Sequence, residues 1–213
     1  FFNERGDPKV HWHAGINAVP IQIAVKYKIP LIIYAEHGES EYGGRVLSDE
    51  HMMIRDYTEV LEHQIGDMPG NWADDHIKEH ELAPYLYPRT DEIDTVGIKV
   101  LYFGYFFRWS AFDNWQYIKD RIPFKTAENG RTDGTFTDYD SLDDKIDSLY
   151  YYLQFIKFGF GRALRDACRM IQNGHMTRDE ALELVQAYDK EFPSTYHNDH
   201  LEFLKLKNTE FIQ

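Results

Sequence analysis

The stretch LIIYAEHGESEYGG, residues 31–44, decides the fold reading. It opens as a short, branched, apolar run and breaks at Glu36, His37 and Gly38, with Gly43 and Gly44 just beyond. A brief apolar run rich in Ile and bounded by turn residues reads as a strand covered on both faces, which is the parallel-sheet case. Just before it, NAVPIQIAVKYK (residues 17–28) has helical spacing, with Asn17 as cap, Pro20 in the first turn and Val19, Ile23, Ala24 and Tyr27 recurring. Pro30 stops that helix. A helix followed by such a strand is half of an α/β repeat. In open α/β sheets ligands sit at the carboxyl ends of the strands, so Glu36 and His37 are expected in the natural cleft. Gly38, Gly43 and Gly44 would let the backbone turn tightly or approach a ligand closely. The alternative is an ordinary strand-to-helix loop with an acidic tip.

Working outward, SDEHMMIRDYTEVLEH predicts a helix over 48–63 capped by Ser48, and a short helix is expected over 74–82. VGIKVLYFGYFF predicts a second strand over 96–107, followed by a helix over 113–122. Residues 126–139 are rich in Gly, Thr and Asp without apolar period and read as a loop, longer than a compact domain uses without reason. A long helical pattern runs over 142–171, and Thr177 with Glu180 forms a capping box for another helix. The organisation expected is an α/β portion over 1–125, a loop over 126–141 and a helical region over 142–213 packed on it.

Composition narrows the function. With 43% hydrophobic and 15% aromatic residues in 213, the chain can bury a real core. A net charge of −13 argues against coating nucleic acid or an anionic membrane, although a local basic pocket is compatible with it. The single cysteine, Cys168, excludes an internal disulfide framework and a multi-Cys zinc site. No apolar stretch approaches the ~18 residues of a spanning helix and no signal peptide is present, so a cytoplasmic protein without membrane insertion is expected.

Two further constellations carry chemistry. His11 and His13 in HWHAG are two apart, which in an extended segment puts both imidazoles on one face, with Gly15 directly after. They read as ligand-binding groups, a zinc pair or a partly buried structural pair; no Cys or HExxH spacing completes a metal site, and none is assigned. In YLQFIKFGFGRALRDACRM, Lys157 and Arg162 bracket Gly159 and Gly161 in an otherwise acidic chain. Glycines inside a helical pattern suggest close approach of a backbone or ligand, and the two cations would suit a polyphosphate. Equally, the helix is kinked there and its bases pair with Asp143, Asp144 or Asp166.

The segments HWHAGINAVPIQIAVKYKIPLIIYAEHGESEYGG and YLQFIKFGFGRALRDACRMIQNGHMTRDEALELVQAYD resemble the N-acetyl sugar amidotransferase family of bacterial surface-polysaccharide and flagellin-glycan biosynthesis. The resemblance implies a Rossmann-like parallel α/β sheet of the PP-loop ATP pyrophosphatase type with a helical C-terminal part. It implies an ATP- and Mg2+-dependent enzyme that adenylylates a sugar acetamido oxygen, releasing pyrophosphate, before ammonia displaces AMP to give an acetamidino group. The substrate implied is an N-acetylated, nucleotide-linked sugar, and the ammonia source a glutaminase pair resembling the HisH and HisF subunits of histidine biosynthesis. Glu36 and His37 are the catalytic candidates; His11, His13, Gly15, Gly38, Gly43, Gly44, Lys157, Gly159 and Arg162 are the substrate- or ATP-binding candidates. The SGGxDS-like PP-loop is absent from these 213 residues, and both ends look cut, so the chain is expected to be a fragment lacking an upstream segment. A non-catalytic ligand- or partner-binding relative is the alternative. A carbohydrate-binding protein using Trp12, Trp72, Trp109 and Trp115 is another.

Overall fold

The computed structural model describes residue 2, residues 6–36, 53–55, 60 and 65–211. These form two compact units, residues 9–109 and a second made of residues 1–8 with 110–213. The division falls upstream of the boundary expected at 125. The helix Ala111–Ile118 packs with the C-terminal residues: Trp115 stacks on Tyr139 at 4.9 Å and Asp113 meets His175 at 2.9 Å.

The first unit opens with α1, Val10–Tyr27, ended by Lys28 in the left-handed conformation. This helix starts earlier than expected, so Asn17 is an interior residue and not a cap, and Pro20 lies mid-helix. Proline has no N–H to offer the carbonyl four residues back. That carbonyl, on Ile16, instead accepts the Tyr34 hydroxyl at 2.9 Å. Tyr34 belongs to β1, Leu31–Tyr34, so the lost helical bond becomes a tie between helix and strand.

The chain continues through 3-10 segments at Pro69–Trp72 and Glu79–Tyr85. The second occupies the place where a short helix over 74–82 was expected. Then come α2, Thr90–Val96, closed by left-handed Gly97, and β2, Lys99–Tyr102. Residues 96–107 are thus not one strand: α2 runs into their start, and the single turn α3, Phe103–Phe106, follows β2. β1 and β2 pair in parallel, with Leu31 opposite Lys99 and Tyr34 opposite Tyr102. Leu31 and Ile33 are exposed while Ile32 and Tyr34 are half-buried, so β1 is not covered on both faces. Most of the helix expected over 48–63 lies outside the described residues; within it, Ile54 bridges Leu101 in antiparallel fashion instead of continuing a helix. Val10, Ala14, Val60, Ile65, Trp72 and Leu82 make the core of this unit, under α1 and the 3-10 segments. Gln22 ties these layers by donating to the carbonyls of Ala83 and Leu86 at 2.7 and 2.6 Å.

The second unit is helical: α4, Ala111–Ile118; α5, Asp147–Phe158; α6, Arg162–Gln172; α7, Arg178–Tyr188; α8, His197–Leu204; and α9, Asn208–Phe211. Residues 126–139 contain neither helix nor strand, as their composition predicts. The single helix expected over 142–171 is two helices. Gly159 caps α5 at φ 79°, a backbone state that side chains disfavour, and Gly161 is the N-cap of α6. A Cβ on Gly161 would lie 2.7 Å from the Asp189 carbonyl oxygen, so the backbone approach that a glycine pair suggests is to the end of α7. The Asp189 carboxylate accepts from the amides of Gly161 and Leu164 at 2.7 and 2.9 Å, satisfying donors at the N-terminus of α6 where negative charge is favoured. Thr177 and Glu180 form the expected capping box of α7.

Candidate functional site

The first unit gathers polar side chains where the parallel strands end. Arg55 is buried there: its Nε donates to Asn17 Oδ1 at 2.8 Å and its Nη1 to the Tyr102 hydroxyl at 2.8 Å. Its guanidinium carbon sits 4.4 Å from the Tyr34 ring centroid and 5.4 Å from that of Tyr102, a cation held over two aromatic faces. Glu36 follows directly, half-buried, and its carbonyl accepts from the Gly104 amide at 3.1 Å. Burial raises the Tyr34 phenol above its ordinary value; the Arg55 charge opposes this and the Glu36 charge adds to it. Glu36 and Arg55 thus act electrostatically on the same strand-end tyrosine. Arg55 escaped sequence reasoning because a lone Arg in an expected helix has no periodic signature; only the pairing of Ile54 with β2 brings it to the strands.

The other candidates of this unit are helical. His11, His13 and Gly15 all lie on α1, and residues two apart on a helix point about 200° apart. The shared imidazole face expected of an extended segment is therefore not formed. His13 packs edge-on against Trp12 at 5.2 Å, and its carbonyl accepts from Asn17 Nδ2 at 2.7 Å. A Cβ on Gly15 would meet the Tyr85 ring at 3.6 Å, an ordinary packing contact. His37, Gly38, Gly43 and Gly44 lie outside the described residues.

In the second unit Arg162 corrects its expected role. It is 1% exposed, too buried to reach a free polyphosphate, because its guanidinium is committed internally. It donates to Thr132 Oγ1 at 3.0 Å and the Asp140 carbonyl at 2.8 Å, and lies 3.6 Å from Asp166. The alternative of pairing with Asp166 is the geometry found. Lys157 is exposed near the end of α5, and its Cε lies 3.0 Å from where a Cβ on Gly6 would stand. Gly159 is a helix cap, and nothing lies within 4 Å of a Cβ placed there.

Around Arg162 a charged network orders the helix-free stretch. Asp166 accepts from Thr135 Oγ1 at 2.6 Å and Thr137 Oγ1 at 3.3 Å, and pairs with Arg165 at 2.9 Å. Arg165 also pairs with Asp140 at 2.9 Å and donates to the Tyr151 hydroxyl. Burial pushes the Tyr151 phenol up, against the nearby Arg165 charge. Arg131 forks onto Glu191 with two 2.6 Å contacts, which hold the Glu191 carboxyl below its usual range.

This network borders a small pocket that opens to solvent. Phe112, Thr137, Tyr139, Asp140, Arg169 and Asn173 line it, among others. Its aromatic wall is continuous: Phe112 lies 4.8 Å from His175 and 6.0 Å from Tyr139 between ring centroids. Burial, with Asp166 and Asp140 nearby, keeps the Tyr139 phenol protonated well above its ordinary range. Among the described residues, no group of three or more His, Cys, Asp or Glu is placed to hold a metal ion, and no helix is long and apolar enough to cross a membrane.

Residues 133–213, which hold most of this network, match the family model of the LPS biosynthesis protein WbpG-like, C-terminal domain. No curated protein matches the chain. The C-terminal region is therefore similar to part of a lipopolysaccharide biosynthesis protein.

Proposed function

We propose that the protein acts in lipopolysaccharide biosynthesis as an ATP-dependent amidotransferase, converting a sugar acetamido group to an acetamidino group with ammonia. The match of residues 133–213 to a lipopolysaccharide biosynthesis domain carries the biosynthetic context. The resemblance of the two long segments to N-acetyl sugar amidotransferases supplies the reaction. A half-buried carboxylate at the end of a parallel strand, Glu36, is compatible with it.

The chemistry explains why ATP is required. An amide oxygen is a poor leaving group. Attack of that oxygen on the α-phosphorus releases pyrophosphate and makes AMP the leaving group; ammonia then adds to the carbon, and loss of AMP and a proton gives the amidine. Glu36 is suited to bind a sugar hydroxyl or to take that proton. Mg2+ would be held largely by the ATP phosphates with one or two carboxylates, a smaller set than a dedicated metal cage. The ammonia would come from a HisH/HisF-like glutaminase pair.

The full-length protein, given ATP, Mg2+, ammonium and an N-acetylated sugar nucleotide, is expected to release pyrophosphate in step with amidinated sugar, read by mass spectrometry. A folded Glu36→Gln variant is expected to lose most of this turnover. No pyrophosphate and no amidine at saturating ammonium would overturn the reaction; normal turnover by the variant would remove Glu36 from the site.

A further inference from the structure

We propose that Asn129, in the turn before Gly130, is a site of spontaneous covalent modification: its side-chain nitrogen is lost as ammonia and the residue becomes a mixture of aspartate and isoaspartate. The inference stands apart from the amidotransfer reading and concerns the C-terminal unit alone.

The step needs only water. The Gly130 amide nitrogen gives its proton to hydroxide and attacks Asn129 Cγ; the bond from Cγ to Nδ2 breaks, and Nδ2 takes a proton from water and leaves as ammonia. A five-membered succinimide then joins the two residues. Water opens it at either bond to the ring nitrogen. Breaking the bond at Cγ leaves aspartate, whereas breaking the bond at the backbone carbonyl leaves isoaspartate, whose chain runs through the former side chain and whose α-carboxylate is free. Glycine is the most permissive following residue, because no Cβ obstructs its nitrogen.

The unit holds three pairs in which such a ring could close: Asn129 with Gly130, Asp133 with Gly134, and Asn173 with Gly174. All three glycines stand at positive φ, 74°, 80° and 76°, so backbone state does not separate them. Side-chain freedom does. Asp133 is a carboxylate, a poor electrophile, and both its oxygens accept from Thr195 at 2.8 Å, while the Gly134 amide is held by Glu191 at 2.8 Å. Asn173 is half-buried and donates through Nδ2 to the Arg169 carbonyl at 3.0 Å, which ties down the leaving group. Asn129 is exposed, and among the described residues no hydrogen bond holds its side chain. The attacking amides are alike: Gly130 donates to the Ala127 carbonyl at 3.0 Å and Gly174 to the Ile171 carbonyl at 2.9 Å. The two asparagine sites therefore differ in the electrophile and not in the nucleophile. Conversion at Asn129 adds a negative charge and, as isoaspartate, an extra backbone atom within the loop that the Ala127 amide closes on the Asp138 carbonyl at 2.7 Å.

The folded full-length protein is held at mildly alkaline pH for days, beside the same protein unfolded in guanidinium chloride, and both are digested with trypsin. Cleavage after Lys125 and Arg131 frees residues 126–131, and cleavage after Arg169 and Arg178 frees residues 170–178, so each asparagine is read in its own peptide by mass spectrometry. The unfolded rates report sequence alone. Dividing each folded rate by its unfolded value is expected to leave Asn129 about ten-fold faster than Asn173, because exposed turns open more readily than anchored ones. Isoaspartate, counted by enzymatic methylation of its α-carboxylate, is expected to lose most of its amount in Asn129→Gln with unchanged thermal unfolding. Equal normalised rates, a faster Asn173, or undiminished isoaspartate in the folded variant would each overturn the site. If the variant fails to fold, the wild-type rate comparison carries the test.

Discussion

The Tyr34 hydroxyl donates to the Ile16 carbonyl because Pro20, four residues further along α1, has no N–H to give it. The strand end that leads to Glu36 is thereby pinned to the helix by a bond that proline makes available. Tyr34→Phe leaves that carbonyl unpaired and is expected to cost about 1 kcal/mol in urea unfolding. In a Pro20→Ala background an amide returns to the helical position, and the same Tyr34→Phe change should cost measurably less. Equal costs in the two backgrounds would show that proline does not create the acceptor.

Arg162 is expected to behave as a structural residue. Arg162→Ala removes a buried guanidinium from Asp166, Thr132 and the Asp140 carbonyl, and should cost about 3 kcal/mol, visible as a lowered urea midpoint. Wild-type stability combined with lost turnover would instead return Arg162 to a ligand-contacting role.

Gly161 has no room for a side chain. Gly161→Ala brings a methyl group against the Asp189 carbonyl and should destabilise by roughly 1–3 kcal/mol through overpacking. Gly159→Ala, in open space but at positive φ, tests strain alone; a neutral Gly161→Ala measured by thermal unfolding would contradict the contact.

His200 gives the C-terminal unit a pH dependence. It is fully buried, its Nε2 lies 2.9 Å from the Lys145 carbonyl, and its Nδ1 has no hydrogen-bond partner. Burial pushes its pKa below the ordinary 6.5. The unfolded chain then binds more protons than the folded one as pH falls through 6.5 toward the lowered folded value, so this contribution is complete above 6.5 and is lost below it. Unfolding free energies measured from pH 8 to pH 5 should fall over that window. His200→Gln should flatten that part of the profile. The lowered pKa of Glu191 acts in a separate window, as its carboxyl protonates at and below its usual 4.5.

What the sequence made legible depended on how local the physics was. The capping box at Thr177 and the short apolar strand before Glu36 are set by neighbouring residues, and both stand where the pattern puts them. The start of α1 is ambiguous in sequence because Asn17 and Pro20 are also good first-turn residues; only Tyr34, fourteen positions beyond Pro20, reveals why proline is tolerated mid-helix. The cations at 157 and 162 look alike in sequence, yet one is exposed and the other buried by Thr132, Asp140 and Asp166. The pocket had no motif at all, since its wall joins residues near 112, 139 and 170 through packing.

The stretch without helix or strand, residues 126–139, is fastened along its length: Ala127 to the Asp138 carbonyl, Arg131 and Gly134 to Glu191, Asp133 to Thr195, Thr135 and Thr137 to Asp166. Apart from the internal Ala127–Asp138 bond, every fastening has its partner outside the stretch, on Asp166 of α6 or on Glu191 and Thr195 after α7, so its residue count is as constrained as that of a strand in a barrel. Inserting or deleting one residue between 131 and 137 would put either the Glu191 clasp or the Asp166 clasp out of step, and in related chains length variation should accumulate outside this interval.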